Sequence, residues 1–182
     1  MAAQHRDPRR KKQSSGTLPR PSDALGAVRE PGGGWRLTHP RCAAQRTDDM
    51  EEVDAMLAAG EPDVARDELR FLLQDCPEFL AAHQKLGEIA LEAGDWKLAR
   101  GHFGYVYDRV RKVLAVQAHA ASLPYLVADN HTAHESGKGL AWCLHELGET
   151  KLALEVVRQL LAWDATDPLG VGAWLAQWAA RS

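Results

Sequence analysis

The sequence has few cysteines and no long apolar run. Its 182 residues include three cysteines, Cys42, Cys76 and Cys143, an odd and widely spaced set that is not typical of a secreted disulfide framework. We therefore expect free thiols and a reducing, cytoplasmic compartment. A signal peptide needs about 7 to 15 apolar residues after a basic start, and a membrane span needs about 18. Neither pattern occurs, so we expect neither a secretory leader nor a membrane span.

The sequence also lacks the local patterns of common catalytic sites. Residues 137–139 read GKG, but the preceding strand, the earlier glycine and the hydroxyl residue after Lys138 that a phosphate-binding loop needs are missing. We find no pattern that supplies a nucleophile together with a base and an orienting group. We therefore expect no enzymatic activity and no cofactor.

Two histidine-containing segments have the spacing of half a zinc site. His39 with Cys42, and His131 with His134, are each three residues apart, but a structural zinc ion takes four converging ligands. No metal is therefore expected. One alternative stays open, in which His131 and His134 fold over His102 and form a metal or small-molecule site.

Charge divides the chain into two unlike parts. Residues 1–46 hold ten basic and three acidic residues, whereas residues 47–182 hold twelve basic and twenty-two acidic ones. Residues 1–34 mix Arg, Pro, Gly and Ser with few large apolar side chains, a composition typical of disorder. We therefore predict a disordered basic tail over residues 1–34 and a folded domain over 35–182. The RRKK run at 9–12 is either a solvated segment or a site for nucleic acid, an anionic membrane or an import receptor.

One phrase occurs three times in the folded part. Residues 58–69 read AAGEPDVARDEL, residues 92–103 read EAGDWKLARGHF, and residues 146–157 read ELGETKLALEVV. The first two copies are thirty-four residues apart, and the third follows after thirty-four plus twenty. Apolar residues recur at helical spacing on both sides of each phrase, and a glycine suited to a helix end lies inside it. Each copy therefore predicts two antiparallel helices, the first of them over about 48–59.

These units resemble the tetratricopeptide repeat (TPR) family, whose 34-residue unit is a helical hairpin with defined small and large positions. Leu86 and Gly87, Ala99 and Phe103 match the family pattern in the second unit, and the alanine recurs as Ala65 and Ala153. The resemblance covers residues 46–168 and implies an all-α fold. It implies a right-handed α-solenoid of about three TPR-like hairpins, over 46–79, 80–113 and 134–167.

Two segments lie outside the repeats. The insertion over 114–133 is expected to lengthen a helix to about residue 120 and then to pack Leu123, Tyr125, Leu126 and Val127 back on the array, because so many exposed apolar residues would be unusual. Apolar residues at spacings of three, four and seven predict a C-terminal capping helix over 168–180.

Within the second unit, Gly101 and Gly104 are expected to let another segment pack closely against the helix.

The resemblance implies a function as well as a fold. TPR arrays bind a partner's peptide or helix in a concave groove lined by the first helix of each unit. By repeat position, the groove residues are Asp54, Gln84, Glu88, Leu91, Glu92, Glu135, Lys138, Trp142, His145 and Glu146. The carboxylates around Leu91 and Trp142 favour a protein partner with basic residues and one or two apolar anchors.

Nucleic-acid binding is the main alternative, through the basic tail or through the surface of the helical repeat. The excess of acidic residues in the folded part argues against it, because a phosphate-binding surface is basic. We therefore predict a non-enzymatic protein-interaction module. The sequence does not indicate the oligomeric state.

Overall fold

The computed structural model describes residues 23–117 and 122–180. These residues are mostly helical, in agreement with the predicted all-α class, and they also contain one small sheet that the sequence did not predict. The elements in chain order are β1 (Gly26–Arg29), β2 (Trp35–Thr38), α1 (Arg41–Ala44), α2 (Thr47–Ala58), α3 (Pro62–Asp75), α4 (Leu80–Glu92), α5 (Trp96–Gln117), α6 (His131–Glu146), α7 (Thr150–Trp163) and α8 (Ala173–Ala179). A 3₁₀ turn, Ala128–Asn130, precedes α6.

The three repeated phrases form the same local structure. Helices α2 and α3, α4 and α5, and α6 and α7 are joined by short turns, and the two helices of each pair are in contact. Gly60, Gly94 and Gly148 lie in these turns with φ between 74° and 79°, a region that glycine enters without steric cost. Each phrase is therefore a helical hairpin, as predicted.

The recurring alanine is buried in the second helix of each hairpin. Ala65, Ala99 and Ala153 are completely buried, in α3, α5 and α7 respectively. A larger side chain at these positions would hold the helix backbones apart. The burial of all three alanines supports this steric requirement as the reason why a small residue recurs in each unit.

Phe103 connects the second hairpin to the third. Its ring is buried between Gly87 of α4 and Gly139 of α6. A Cβ atom added at either glycine would lie 2.6 Å from a ring carbon, well inside ordinary van der Waals contact. Both glycines are thus needed for the position of the ring.

The two glycines of α5 are less crowded. A Cβ at Gly101 would meet no atom within 4 Å, and a Cβ at Gly104 would make an ordinary contact with Leu140. The close approach predicted at Gly101 is therefore wrong.

The N-terminal prediction requires a correction. Residues 23–34 were expected to be disordered, but β1 lies within them and pairs antiparallel with β2, with Gly26 opposite Thr38. The hairpin is held by contacts that are distant in sequence: the amide of Leu25 donates to Glu78, and the amide of Trp35 donates to the carbonyl of Ser122. Residues 1–22, including the RRKK run, lie outside the described residues.

The described part of the insertion packs on the helices, as predicted for most of its apolar residues. Leu123 is completely buried, and its amide donates to the carbonyl of Trp163. Tyr125 is half-buried and its amide donates to Asp164. Leu126 is the exception, because it is 96% exposed. Helix α5 extends to Gln117, and the predicted end near residue 120 lies outside the described residues.

Asn130 joins the N-terminal hairpin to the insertion. Its side chain is completely buried. The Oδ1 atom accepts from the amide of Leu37, and Nδ2 donates to the carbonyls of Trp35 and Pro124. Because buried polar groups without partners are costly, this set of hydrogen bonds fixes the strand and the loop together.

The expectation of free thiols is wrong for two of the three cysteines. Cys42 in α1 and Cys76 after α3 form a disulfide, whereas Cys143 is free and buried. The pairing was missed because the two residues are separated by 34 positions and meet only when the first hairpin folds. A cytoplasmic location stays a prediction, and the disulfide argues against it because such bonds are rare in reducing compartments.

The predicted capping segment contains a short helix. Val171 and Trp178 are buried and Trp174 is half-buried, which agrees with the predicted apolar face. The helix itself covers only Ala173–Ala179, because residues 164–172 form turns in which the carboxylate of Asp167 accepts from the amides of Val171 and Gly172. Among the helices of residues 23–117 and 122–180, none combines the length and the apolar composition that a bilayer crossing requires.

Candidate interaction groove

The predicted groove residues lie on three helices, which are the first helices of the three hairpins. Asp54 is on α2, four more are on α4, and five are on α6. Helix α4 contacts α6, so these two helices present neighbouring surfaces. Asp54, Glu92, Trp142 and Glu146 are exposed, and the other predicted residues are half-buried: Gln84, Glu88, Leu91, Glu135, Lys138 and His145.

A charged network links α2 to α4. The Nζ atom of Lys85 lies 3.1 Å from Oδ1 of Asp54 and 3.3 Å from Oε2 of Glu88. Gln84 donates to the other carboxylate oxygen of Glu88 at 2.7 Å. The network holds the carboxylate of Glu88 in place from both sides. Lys85 was absent from the predicted set, although its position three residues before Glu88 is a sequence signal for the pair.

The environment of Lys85 favours the charged form of its side chain. Burial disfavours the ammonium form, but the carboxylates of Glu88 and Asp54 outweigh it, and the pKa of Lys85 is raised. Lys85 pairs with two carboxylates, and the exposed Glu92 adds a third one turn beyond Glu88 on α4. The patch therefore has a net negative charge.

An open pocket of about 440 Å³ adjoins this network. Its apolar lining comes from Leu57, Pro62 and Ile89, and its polar lining comes from Lys85, Glu88 and Glu92. Gly60, which turns the chain between α2 and α3, and Pro62 at the start of α3 form one wall. The pocket thus combines an apolar surface with an acidic edge, and it lies between the first and second hairpins.

The predicted groove residues at the end of α6 lie against α8. The Trp142 ring centroid is 5.7 Å from that of Trp174, and His145 stacks on Trp178 at 4.2 Å. Trp174 and Trp178 also stack on each other. Trp142 retains 38% of its exposed surface. These residues belong to an aromatic cluster that holds α8, so sequence position alone overstated how open this part of the surface is.

The predicted residues at the start of α6, Glu135 and Lys138, do not line the pocket. Glu135 accepts a hydrogen bond of 2.7 Å from the hydroxyl of Tyr125, which belongs to the insertion. Lys138 is half-buried on the same helix. Of the ten predicted residues, Asp54, Gln84, Glu88 and Glu92 therefore belong to the pocket and its charged network, Glu135 contacts the insertion, and Trp142 and His145 belong to the aromatic cluster.

The histidines proposed for a metal site do not come together. His134 lies 2.7 Å from the carbonyl of Leu123, His131 stacks on Tyr125, and His102 instead lies beside His83. Within the ranges that the structure describes, no group of three or more His, Cys, Asp or Glu residues has the arrangement of a metal site. The alternative of a site built from His102, His131 and His134 is therefore not supported.

Comparison with known proteins does not assign a family. No protein-family model matches the chain, and no curated protein matches it. The residues and their geometry are therefore the basis for a functional assignment.

Proposed function

We propose that this protein is a non-enzymatic interaction module, a TPR-like right-handed superhelix of three helical hairpins with α8 as its cap. The proposal depends above all on one observation, the open pocket between the first two hairpins with its apolar lining and acidic edge. Contact between successive hairpins, and the burial of the repeat alanines, support a stacked array of this kind.

The chemistry of the pocket selects a class of partner. Leu57, Pro62 and Ile89 offer a surface for one apolar side chain, and Glu88 and Glu92 offer carboxylates for flanking cations. A helix or extended segment with a leucine-like anchor next to lysine or arginine satisfies both features. Nucleic acid does not, because its phosphates would meet the net negative charge of this patch.

The open part of the proposed groove is shorter than the sequence indicated. Trp142 and His145 already contact α8, so the surface available to a partner extends from Asp54 on α2 to Glu92 on α4.

Selection from a random peptide library tests the proposal. The full-length chain is immobilised, and the enriched peptides are compared with those from the variant Glu88→Lys with Glu92→Lys. We expect enrichment of lysine or arginine beside one large apolar residue, and loss of that consensus with the variant. The control variant is Asp108→Lys with Glu155→Lys, which makes the same change in charge at two exposed acids on α5 and α7.

Two results would contradict the proposal. An acidic consensus would show that the pocket does not determine the partner. A basic consensus lost equally with both variants would show that binding follows overall charge.

A further inference from the structure

A second cavity lies among α3, α4 and α5 and has a volume of about 200 Å³. Ile89 lines both this cavity and the open pocket of about 440 Å³, but the second cavity contains none of the acidic edge formed by Glu88 and Glu92. Arg66 and Arg70 of α3 line it instead, and we therefore call it the arginine pocket.

The base of the arginine pocket is apolar. Leu86, Ile89 and Ala90 of α4 line the cavity and are buried. Leu98 of α5 also lines it and is 42% exposed, so the apolar surface continues to the rim. Sites that enclose whole small molecules usually have volumes of about 300–1,000 Å³. The arginine pocket is smaller, and its size suits one apolar side chain of a larger partner.

The two arginines are available to a further anion. They are four residues apart on α3, which places them on one face of the helix. Arg66 pairs with Asp63 at 2.7 Å, and Arg70 pairs with Asp67 at 3.3 Å. The two aspartate side chains are 85% and 79% exposed, and exposed pairs within one helix hold their partners only weakly. Because a guanidinium group has five N–H donors, donors remain for an incoming carboxylate.

The positive charge of α3 acts inside the cavity. Burial and the charge of Arg70 both lower the pKa of His102, which lines the cavity as a neutral side chain. Its Nδ1 atom lies 3.2 Å from that of His83, an ordinary hydrogen bond between the two rings. Asp95 supplies the one carboxylate of the lining, and its Oδ1 atom already accepts from the amide of Leu98 at 3.0 Å. The lining therefore carries two cations and one anion.

We propose that the arginine pocket is a second docking site, which binds an acidic segment of a partner protein through one apolar anchor and an adjacent carboxylate. The anchor packs on Leu86, Ile89 and Leu98. The carboxylate pairs with Arg66 and Arg70, as carboxylates commonly do with guanidinium groups. This partner has the opposite charge to the basic segment expected at the open pocket, so the two sites bind different ligands. A nucleic acid would supply anions for the arginines but no aliphatic side chain for the apolar base.

Fluorescence anisotropy with a glutamate-rich peptide that has one central leucine tests the proposal. The full-length wild type is compared with the variant Arg66→Gln with Arg70→Gln, at low and at physiological salt. We expect this variant to bind about tenfold more weakly or worse, because it loses charge-assisted hydrogen bonds to the carboxylate. The control variant is Lys151→Gln with Arg158→Gln, which removes two exposed cations of α7 and should bind as the wild type does. Circular dichroism establishes that each variant is folded before titration.

A second peptide, with serine in place of the leucine, separates the apolar anchor from the charge. We expect the wild type to bind it about tenfold more weakly, because the anchor then has no apolar surface to bury. The proposal is overturned if the wild type does not bind the leucine peptide at low salt, or if it binds the two peptides equally. Equal losses with the two variants would also overturn it, because binding would then follow overall charge. A single-stranded oligonucleotide that binds more tightly than the peptide, and loses this binding with Arg66→Gln and Arg70→Gln, would overturn it in favour of a nucleic-acid site.

Discussion

Gly139→Ala is a sharp test of how the second and third hairpins pack. The new Cβ would lie 2.6 Å from Cε2 of Phe103, with two further ring atoms within 2.8 Å. The ring has little room to move away, because its opposite edge packs so closely on Gly87 that a Cβ added there would also lie 2.6 Å from a ring carbon. Overpacking of this kind costs about 1–3 kcal/mol, and confinement from two sides favours the upper end of that range.

Helix propensity partly offsets this cost. Alanine is more favourable than glycine in a helix by about 1 kcal/mol, so the net loss in the free energy of unfolding should be about 2 kcal/mol. Gly101→Ala is the matched control, since its Cβ meets no atom within 4 Å. It should stabilise the protein by about 0.5–1 kcal/mol.

Urea denaturation followed by far-ultraviolet circular dichroism measures both variants. A double-mutant cycle with Phe103→Leu then isolates the contact between residue 139 and the Phe103 ring. In the Phe103→Leu background, Gly139→Ala should lower the free energy of unfolding by about 1 kcal/mol less than it does in the wild type, which is a usual coupling energy for residues in contact. The reasoning is refuted if Gly139→Ala is as stable as Gly101→Ala, or if the cycle shows no coupling.

Three further predictions concern the disulfide, the histidine pair and Asn130. Loss of the disulfide through Cys42→Ala should lower the free energy of unfolding by about 3–4 kcal/mol, as the chain-entropy relation gives for a loop of this length, and a reducing agent should then have no further effect in urea denaturation. Because the pKa of His83 is lowered to about 4, the unfolded chain takes up a proton near pH 6.5 that the folded chain does not, so stability should fall as the pH drops from 6.5 towards 4. His83→Asn should flatten that dependence in thermal melts; an unchanged slope would contradict it. Asn130→Ala leaves the buried amide of Leu37 without its acceptor and should cost about 1–3 kcal/mol, with faster hydrogen exchange at Leu37 than in the wild type.

The helical hairpins were predictable because their signals are local. A glycine with positive φ follows the first helix of each pair, and α2 lies within one residue of its expected range. The burial of the three alanines was also predictable, because a small residue recurs at the same position of each repeat. These features depend on residues close together in the chain.

Long-range contacts account for what the sequence did not indicate. The strand β1 is stabilised by Glu78 and by its pairing with β2, and neither partner is apparent in a segment rich in glycine and proline. The Cys42–Cys76 disulfide and the His83–His102 pair likewise join residues from different elements. Trp142 was assigned to the groove from its position in the repeat, which does not show that α8 folds against this residue.

The pocket between α2 and α4 is the central element of the proposed function. Its most direct test is the dissociation constant of a lysine-rich peptide with one central leucine, measured by fluorescence anisotropy at low and at physiological salt. We predict measurable binding that weakens with salt, is lost in Glu88→Lys with Glu92→Lys, and persists in Asp108→Lys with Glu155→Lys. Absence of binding at low salt, or equal binding by the wild type and the Glu88→Lys, Glu92→Lys variant, would contradict the assignment of this pocket as the partner site.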